Sequence, residues 1–391
     1  MKANSLRGCS IMVKATGSDT ALPQTSYRQL LSMLQAKTEQ MVVQLGDRCP
    51  HVAGADGKYD DTNVAWWTSG FWPGLCWIMY DMTGDQRYKE KASGWEQRVA
   101  TCFGHYPPVL HHDVGFQFLL AAVLNYEITG DEEARRIGMQ AADTLTSRFN
   151  PQGRFIRAWN GDKYGWAIID CMMNLSLLIW ASRLSGDPRY KHIAVQHADT
   201  FLQYGIREDG SCCHILSFDP ANGEFIEAIG GQGYGPHSAW SRGNAWALYG
   251  FINMYRHTGE ARYLQAAKRI AHYFTANLPA DGVPCWDFRA DALDPELRDS
   301  SAGAIAASGL LEIAACVPPA EQKLYHASAE RIMTGLTEHY ATWDRPDHEA
   351  ILIGGTGHRP AEQNVNVSLI YGDYYYVEAI AKLNNWQRRI F

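Results

Sequence analysis

The chain has 391 residues, 46% of them hydrophobic and 20% charged, with a formal net charge of −7. That is enough for a large core and for one to three domains, and the acidic balance leaves no basic footprint for nucleic acid. No apolar run reaches the roughly 18 residues of a membrane span, no signal-peptide stretch follows the N-terminus, and nine cysteines without CxxC spacing, including the adjacent Cys212 and Cys213, suit a reducing compartment, so the cytoplasm is the expected location.

Residues 1–25 read as a flexible tail and 26–391 as a single domain, because no Pro/Ser-rich linker or low-complexity block interrupts the chain. The first helical pattern, "SYRQLLSMLQAKTEQMVVQLG", mixes apolar and charged residues. A hairpin motif then recurs as "GFWPGLCWIMYDMTGDQRYKEKA", "GFQFLLAAVLNYEITGDEEARRIGMQAADTL", "NLSLLIWASRLSGDPRYKHIAVQHADTFL" and "NAWALYGFINMYRHTGEARYLQAAKRIAHYF". In each, a helix rich in apolar and aromatic residues meets a Thr/Ser-Gly-Asp/Glu turn, and a more charged helix follows. Gly84, Gly130, Gly186 and Gly259 stop the first helix, and the acidic residue favours the start of the next. A fifth apolar helix is expected in "DSSAGAIAASGLLEIAA", partnered by "PPAEQKLYHASAERIMTGLTEHY". A sixth is expected in "NVSLIYGDYYYVEAIAKL", partnered by the first helix of the chain. Helices that are apolar nearly all round want burial on every side. Six of them inside six amphipathic ones make an all-α (α/α)6 barrel; an open α-solenoid would leave the sixth uncovered.

In that layout the inner helices run the same way and their N-termini gather at one mouth. They are preceded by Thr68-Ser69-Gly70, His112-Asp113, Ile169-Asp170, Ser241-Arg242-Gly243, Ser300-Ser301 and Asn364 to Asn366. Most of these offer a capping side chain, and six partial positive charges suit an anionic ligand. A lone aspartate before a helix is more often a plain cap, whereas Asp113 and Asp170 together at one mouth suggest an acid/base pair. The mouth loops add Trp66, Trp67, Trp159, His214, Gln232, Tyr234, His237, Trp240 and Trp246. Stacking faces, hydroxyl partners and paired carboxylates describe a carbohydrate site. Arg242, a cation at a helix N-terminus, needs an anion, either a substrate carboxylate or a mouth aspartate. No metal is expected at His111-His112-Asp113, since adjacent histidines in an extended segment point opposite ways. The "GGQGYG" run, Gly230–Gly235, lacks the Lys-Ser/Thr of a phosphate loop and follows no expected strand, so it reads as a flexible mouth loop.

Together "SGFWPG", "HHDVGF", "IIDCMMNL", "GQGY…SAWSRGNAW" and "IYGDYYYVEA" resemble the unsaturated glucuronyl hydrolases, glycoside hydrolase family 88. The resemblance runs in the family's order from about Tyr59 to Ala381. It implies a 4,5-unsaturated uronate substrate, left by polysaccharide lyases at the non-reducing end of glycosaminoglycan fragments such as chondroitin or hyaluronan disaccharides. It implies hydration of the C4=C5 enol ether rather than the attack at C1 of ordinary glycosidases. Carried over, Asp170 is similar to the general acid/base, and Asp113 to the partner that binds the sugar and helps set the charge of Asp170. His214, Gln232, Trp240, Arg242 and Trp246 match positions lining the first sugar pocket, and Trp159 the platform for the next sugar; Trp67, rather than Trp66, is expected as the wall, and His112 as a further substrate-binding residue. The family uses no metal and no cofactor. A monomer or weak homodimer is expected, with no nucleic-acid or membrane partner.

One departure concerns sulfate. The Ser-x-x-Ser-x-Lys pattern of members tuned to sulfated substrates is missing from "GTGHRPAEQNVNVS", which offers only His358 and Arg359 as cations. The competing readings are an unsaturated rhamnogalacturonyl hydrolase, a sugar 2-epimerase with histidine bases, and a non-catalytic binding protein on the same scaffold.

Overall fold

Each Gly-acidic turn ends one helix and starts another. Gly84, Gly130, Gly186 and Gly259 all adopt the left-handed conformation and C-cap their helices, while Asp85, Asp131 and Asp187 accept backbone N–H bonds as N-caps of the next. The structure, a computed structural model, describes residues 24–290 and 297–391. The tail expected over 1–25 lies outside the described residues, save for Gln24 and Thr25 at the start of the first helix.

The six inner helices are Phe71–Thr83, the run 114–129, Cys171–Ser185, Ser241–Thr258, Ser300–Cys316 and Ile370–Leu383. Each packs on the next, and the sixth packs back on the first, so the ring closes as an (α/α)6 barrel. The outer layer is Glu132–Thr146, Pro188–Tyr204, Ala261–Ala276, Pro319–His339, the divided pair Gln86–Ala92 and Trp95–Ala100, and Gln24–Leu45, which covers the sixth inner helix. The inner helices are apolar nearly all round because both their faces are buried: Phe71 to Met79 is a continuous buried run. Each such large side chain contributes about 2–3 kcal/mol through the apolar area it removes from water. One cluster of buried side chains extends from Leu30 to Phe391. Among the described residues no helix is long and apolar enough to cross a membrane.

Two departures from regular helix were not expected. Gly94 (φ 79°) breaks the second outer helix in two, and Leu119–Val123 in the second inner helix winds as a π-helix, a distortion common near functional sites. The mouth also contains a small antiparallel sheet, Trp166–Ile168, Ile215–Phe218 and Phe225–Ile229, with Ile215 paired to both Ile168 and Ile229. A strand therefore does precede Gly230, contrary to the sequence expectation. The strands were missed because each has only three to five residues, too few for a periodic pattern to emerge.

Candidate active site

The sheet assembles the centre of the site. Ile168 leads into Asp170, His214 leads into Ile215, and Ile229 leads into Gln232, so one end of three strands delivers three polar side chains. The Ile169 N–H donates to the His214 carbonyl (3.0 Å), which locks the first two together. The Gln232 N–H donates to His214 Nδ1 at 2.9 Å. Gly231 makes that approach possible: its φ is +57°, and a Cβ there would stand 2.2 Å from His214 Nδ1. Because a backbone N–H cannot withdraw its proton, Nδ1 is the acceptor, and the Gly230 carbonyl at 3.1 Å is a close neighbour. The ring hydrogen therefore sits on Nε2, which faces Asp170 Oδ2 at 3.7 Å. Neither atom has a hydrogen-bond partner among the described residues.

Asp113 and Asp170 occupy the N-cap positions of their helices, but neither side chain makes a cap hydrogen bond. The plain-cap alternative is thus not realised: the Asp113 carboxyl turns to His112 and Asn174, and that of Asp170 to His214. Among the inner helices only Asp299 caps through its side chain, to the Ser301 N–H. The mouth begins the first, fourth and sixth helices at Gly70, Trp240 and Leu369, without side-chain caps; Asn364 and Asn366 lie earlier in the loop, at positive φ.

Asn174, one turn beyond Asp170, ties the two aspartates together. Its amide donates to Asp113 Oδ1 (3.4 Å) and to the Asp170 carbonyl (3.2 Å), while its oxygen accepts from the Phe116 N–H (2.7 Å). Gly115 permits the contact, since a Cβ there would lie 2.4 Å from Asn174 Oδ1. Asn174 was quoted within "IIDCMMNL" but given no role; its i+4 spacing from Asp170 was the available signal.

The protons can be placed. His112 Nδ1 lies 2.8 Å from the Ala158 carbonyl, which can only accept, so Nδ1 carries the hydrogen. Nε2 then presents a lone pair to Asp113 Oδ1 at 3.2 Å, and a proton on Asp113 accounts for the contact. Burial first, then the charge of Asp170, raises the Asp113 carboxyl well above its usual range, and burial holds His112 well below its own. The Asp170 carboxyl is pushed up to about 7 by burial; the Arg242 charge opposes the rise, as does the Trp246 indole, although its N–H lies outside hydrogen-bond geometry. The apolar residues flanking Asp170 in the sequence point to the poor solvation that raises it, with repulsion from Asp113 expected to add to the rise; burial does raise it, but the repulsion is felt by Asp113. Burial lowers His214 to about 3, so it is neutral near pH 7.

The His111 and His112 rings do not point apart as expected. They stack, with centroids 4.9 Å apart at 29°, because Ala158 draws His112 inward and Asp113 Oδ2 lies 3.6 Å from His111 Nδ1. Their ring nitrogens and the Asp113 carboxylate fall within 4.8 Å of one another.

A chain of aromatic contacts links the remaining expected residues. Trp240 packs on His214 (4.3 Å) and under the Arg242 guanidinium (4.5 Å), which also lies over Tyr371 (5.4 Å). Tyr371 meets Trp67 (5.0 Å), Trp67 meets Phe116 (5.6 Å), and Phe116 meets Trp246 (5.0 Å). Trp159 stands edge-on to His112 at 5.8 Å, on a loop held by Arg148, whose guanidinium donates to the Ala158 and Trp159 carbonyls. Trp66 is 45% exposed and meets His51 outside this chain, so Trp67 rather than Trp66 belongs to it. Tyr234 and His237 are exposed. Of the two partners expected for Arg242, the structure supplies the aspartate: it pairs with the fully buried Asp299. Asp299, Arg148 and Tyr371 were not foreseen, since their roles depend on contacts far apart in sequence.

The Glycosyl Hydrolase Family 88 model matches residues 38–391. The chain is 38% identical to the unsaturated glucuronyl hydrolase of Bacillus sp. (strain GL1), over 91% of this chain and 96% of that protein. The crystal structure of the unsaturated glucuronyl hydrolase from Bacillus sp. GL1 has a TM-score of 0.88, with the same coverage at 37% identity. The chain is 33% identical to the unsaturated chondroitin disaccharide hydrolase of Streptococcus pyogenes serotype M1, over 85% of each. It also superposes with a TM-score of 0.83 on an unsaturated glucuronyl hydrolase mutant from Streptococcus agalactiae complexed with dGlcA-GalNAc6S, at 26% identity and full coverage of both chains.

Proposed function

The chain belongs to glycosyl hydrolase family 88 and is a glycosidase; from that premise we propose that it removes the 4,5-unsaturated uronic acid from the non-reducing end of lyase-generated glycosaminoglycan fragments. The observation that carries this reading is the buried Asp170 carboxyl, whose Oδ2, without a hydrogen-bond partner among the described residues, faces His214 Nε2. With a carboxyl near 7, Asp170 is protonated in a useful fraction at neutral pH, which a general acid needs.

The proposed reaction begins with transfer of the Asp170 proton to C4 of the enol ether. Positive charge develops at C5 and the ring oxygen. Asp170, now a carboxylate, takes a proton from water as the water oxygen bonds to C5, and so regains its acid form. The resulting hemiketal opens, and the bond to the neighbouring sugar breaks. His214 serves as a fixed donor: its Nε2–H faces the oxygen of Asp170 that becomes negative. Neutral Asp113 hydrogen-bonds the sugar. Trp67, Trp240 and Trp246, with His112, Gln232 and Arg242, shape the first sugar pocket, and Trp159 is the platform for the next. The mechanism uses no metal or cofactor.

The residues disfavour an epimerase. Its histidine base would need a ring nitrogen with an available lone pair, yet at this site His214 Nδ1 accepts the Gln232 N–H and Nε2 carries the hydrogen, while the His112 Nε2 lone pair faces the Asp113 proton. The names of the relatives favour the glucuronyl over the rhamnogalacturonyl substrate. We further place 26–391 as one catalytic domain acting in the cytoplasm, as a monomer or weak homodimer. The test is the ultraviolet absorbance of an unsaturated chondroitin or hyaluronan disaccharide. The protein should abolish it as the conjugated double bond is hydrated; unchanged absorbance with these and with unsaturated heparin-type disaccharides would overturn the proposal.

A further inference from the structure

All the terminal N–H groups of Arg242 are already committed within the protein. Nη1 donates to Asp299 Oδ2 and the Thr356 carbonyl; Nη2 donates to Gln232 Oε1 (2.9 Å) and the Gly357 carbonyl (2.6 Å). The residue is 2% exposed, and its guanidinium lies over the rings of Trp240 and Tyr371. An arginine held this way cannot offer a bidentate grip to a substrate carboxylate without dismantling its own cage. Its charge remains, one ring contact from His214 and within electrostatic reach of Asp170.

What fixes that charge is Asp299, which is fully buried. Its Oδ1 accepts from the Ser301 N–H (3.1 Å), the Ser301 hydroxyl (2.5 Å) and the Thr356 N–H (3.3 Å), while Oδ2 holds Arg242. One carboxylate thus joins the start of the fifth inner helix, the loop before the sixth, and the arginine on the fourth. We propose that Asp299 is a positioning residue for the reaction: it immobilises Arg242 as a placed positive charge beside Asp170, rather than as a ligand for substrate. The proposal rests on the reading of Asp170 as the acid.

Asp299→Asn separates this role from capping. The asparagine keeps an oxygen for Ser301 and Thr356 but turns an amide N–H towards Arg242, so it releases the arginine and retains the cap. The experiment compares pH profiles of kcat/KM and melting temperatures for wild type, Asp299→Asn, Arg242→Ala and the double variant. Losing a placed positive charge raises the proton affinity of Asp170, so the alkaline limb should move to higher pH in both single variants. Each should lose up to about 100-fold in kcat/KM, as expected for a displaced group, and the double variant should be no worse than Arg242→Ala alone. Additive losses would overturn the proposal. So would an alkaline limb in Asp299→Asn that stays in place, meaning a purely structural role, or that moves to lower pH, meaning that Asp299 merely screens an arginine fixed by other groups. Should Asp299→Asn fail to fold, Arg242→Lys tests the same link: it keeps the charge but cannot fill the four acceptor positions. Its limb should also move upward, and an unmoved limb would overturn the proposal. The acid assignment is checked separately: if Asp170→Asn is inactive while the other variants are additive, only the positioning role fails.

Discussion

Asp170 Oδ2 and His214 Nε2 lie 3.7 Å apart at the end of one small sheet, and neither has another partner among the described residues. The hydrogen on Nε2 faces the oxygen that becomes negative once Asp170 has given up its proton. Asp170→Asn keeps the shape of that pair but cannot exchange a proton. Its kcat should fall by at least about 100-fold with the fold intact, read as the rate of absorbance loss on an unsaturated disaccharide. Activity close to wild type would rule Asp170 out as the acid.

The pH dependence should separate the two aspartates. Burial pushes Asp170 up to about 7, and the protonated form is the active one, so kcat/KM should fall as pH rises through about 7. Burial and the charge of Asp170 raise the Asp113 carboxyl well above its usual range, and its contact with the His112 Nε2 lone pair places a proton on it. Replacing it with asparagine therefore exchanges one neutral group for another. Asp113→Asn should lose activity through its contact with the sugar, yet leave the alkaline limb in place. A limb displaced to lower pH would show that Asp113 is charged in the wild type and does repel Asp170.

The same burial has a cost to stability. Asp170 has a folded pKa above its unfolded value of about 4, so the folded state binds more protons between about pH 4 and 7. Stability falls across that window as pH rises, and the full cost applies above it. Asp170→Asn removes the titration. Its melting temperature relative to wild type should increase from pH 4 to 7 and then level off, approaching a gain on the order of a few kcal/mol. A difference that does not vary with pH would contradict the buried, titrating carboxyl.

Gly231 combines a left-handed backbone with close approach to His214. Gly231→Ala adds strain there and forces the imidazole away from Asp170. Activity should drop about 10-fold or more, with only a modest change in melting temperature. Wild-type kinetics would mean that the fixed His214 donor does not matter to the chemistry.

The sequence by itself determined the six apolar helices, their charged partners and the turns between them, because these obey local rules. A glycine at C′, an acidic residue at the next N-cap and a helix apolar on every face need only a few neighbouring residues to act. It also placed Asp113 and Asp170 at one mouth, since equivalent helix starts must gather when a ring of parallel inner helices closes. Tertiary structure decided what those side chains do there. Whether Asp113 caps its helix or faces the mouth depends on His112 and Ala158; whether Arg242 meets substrate or protein depends on Asp299 and Thr356, 57 and 114 residues away along the chain. Proton location and ion pairing are set by burial and by partners distant in sequence, and a linear pattern carries neither.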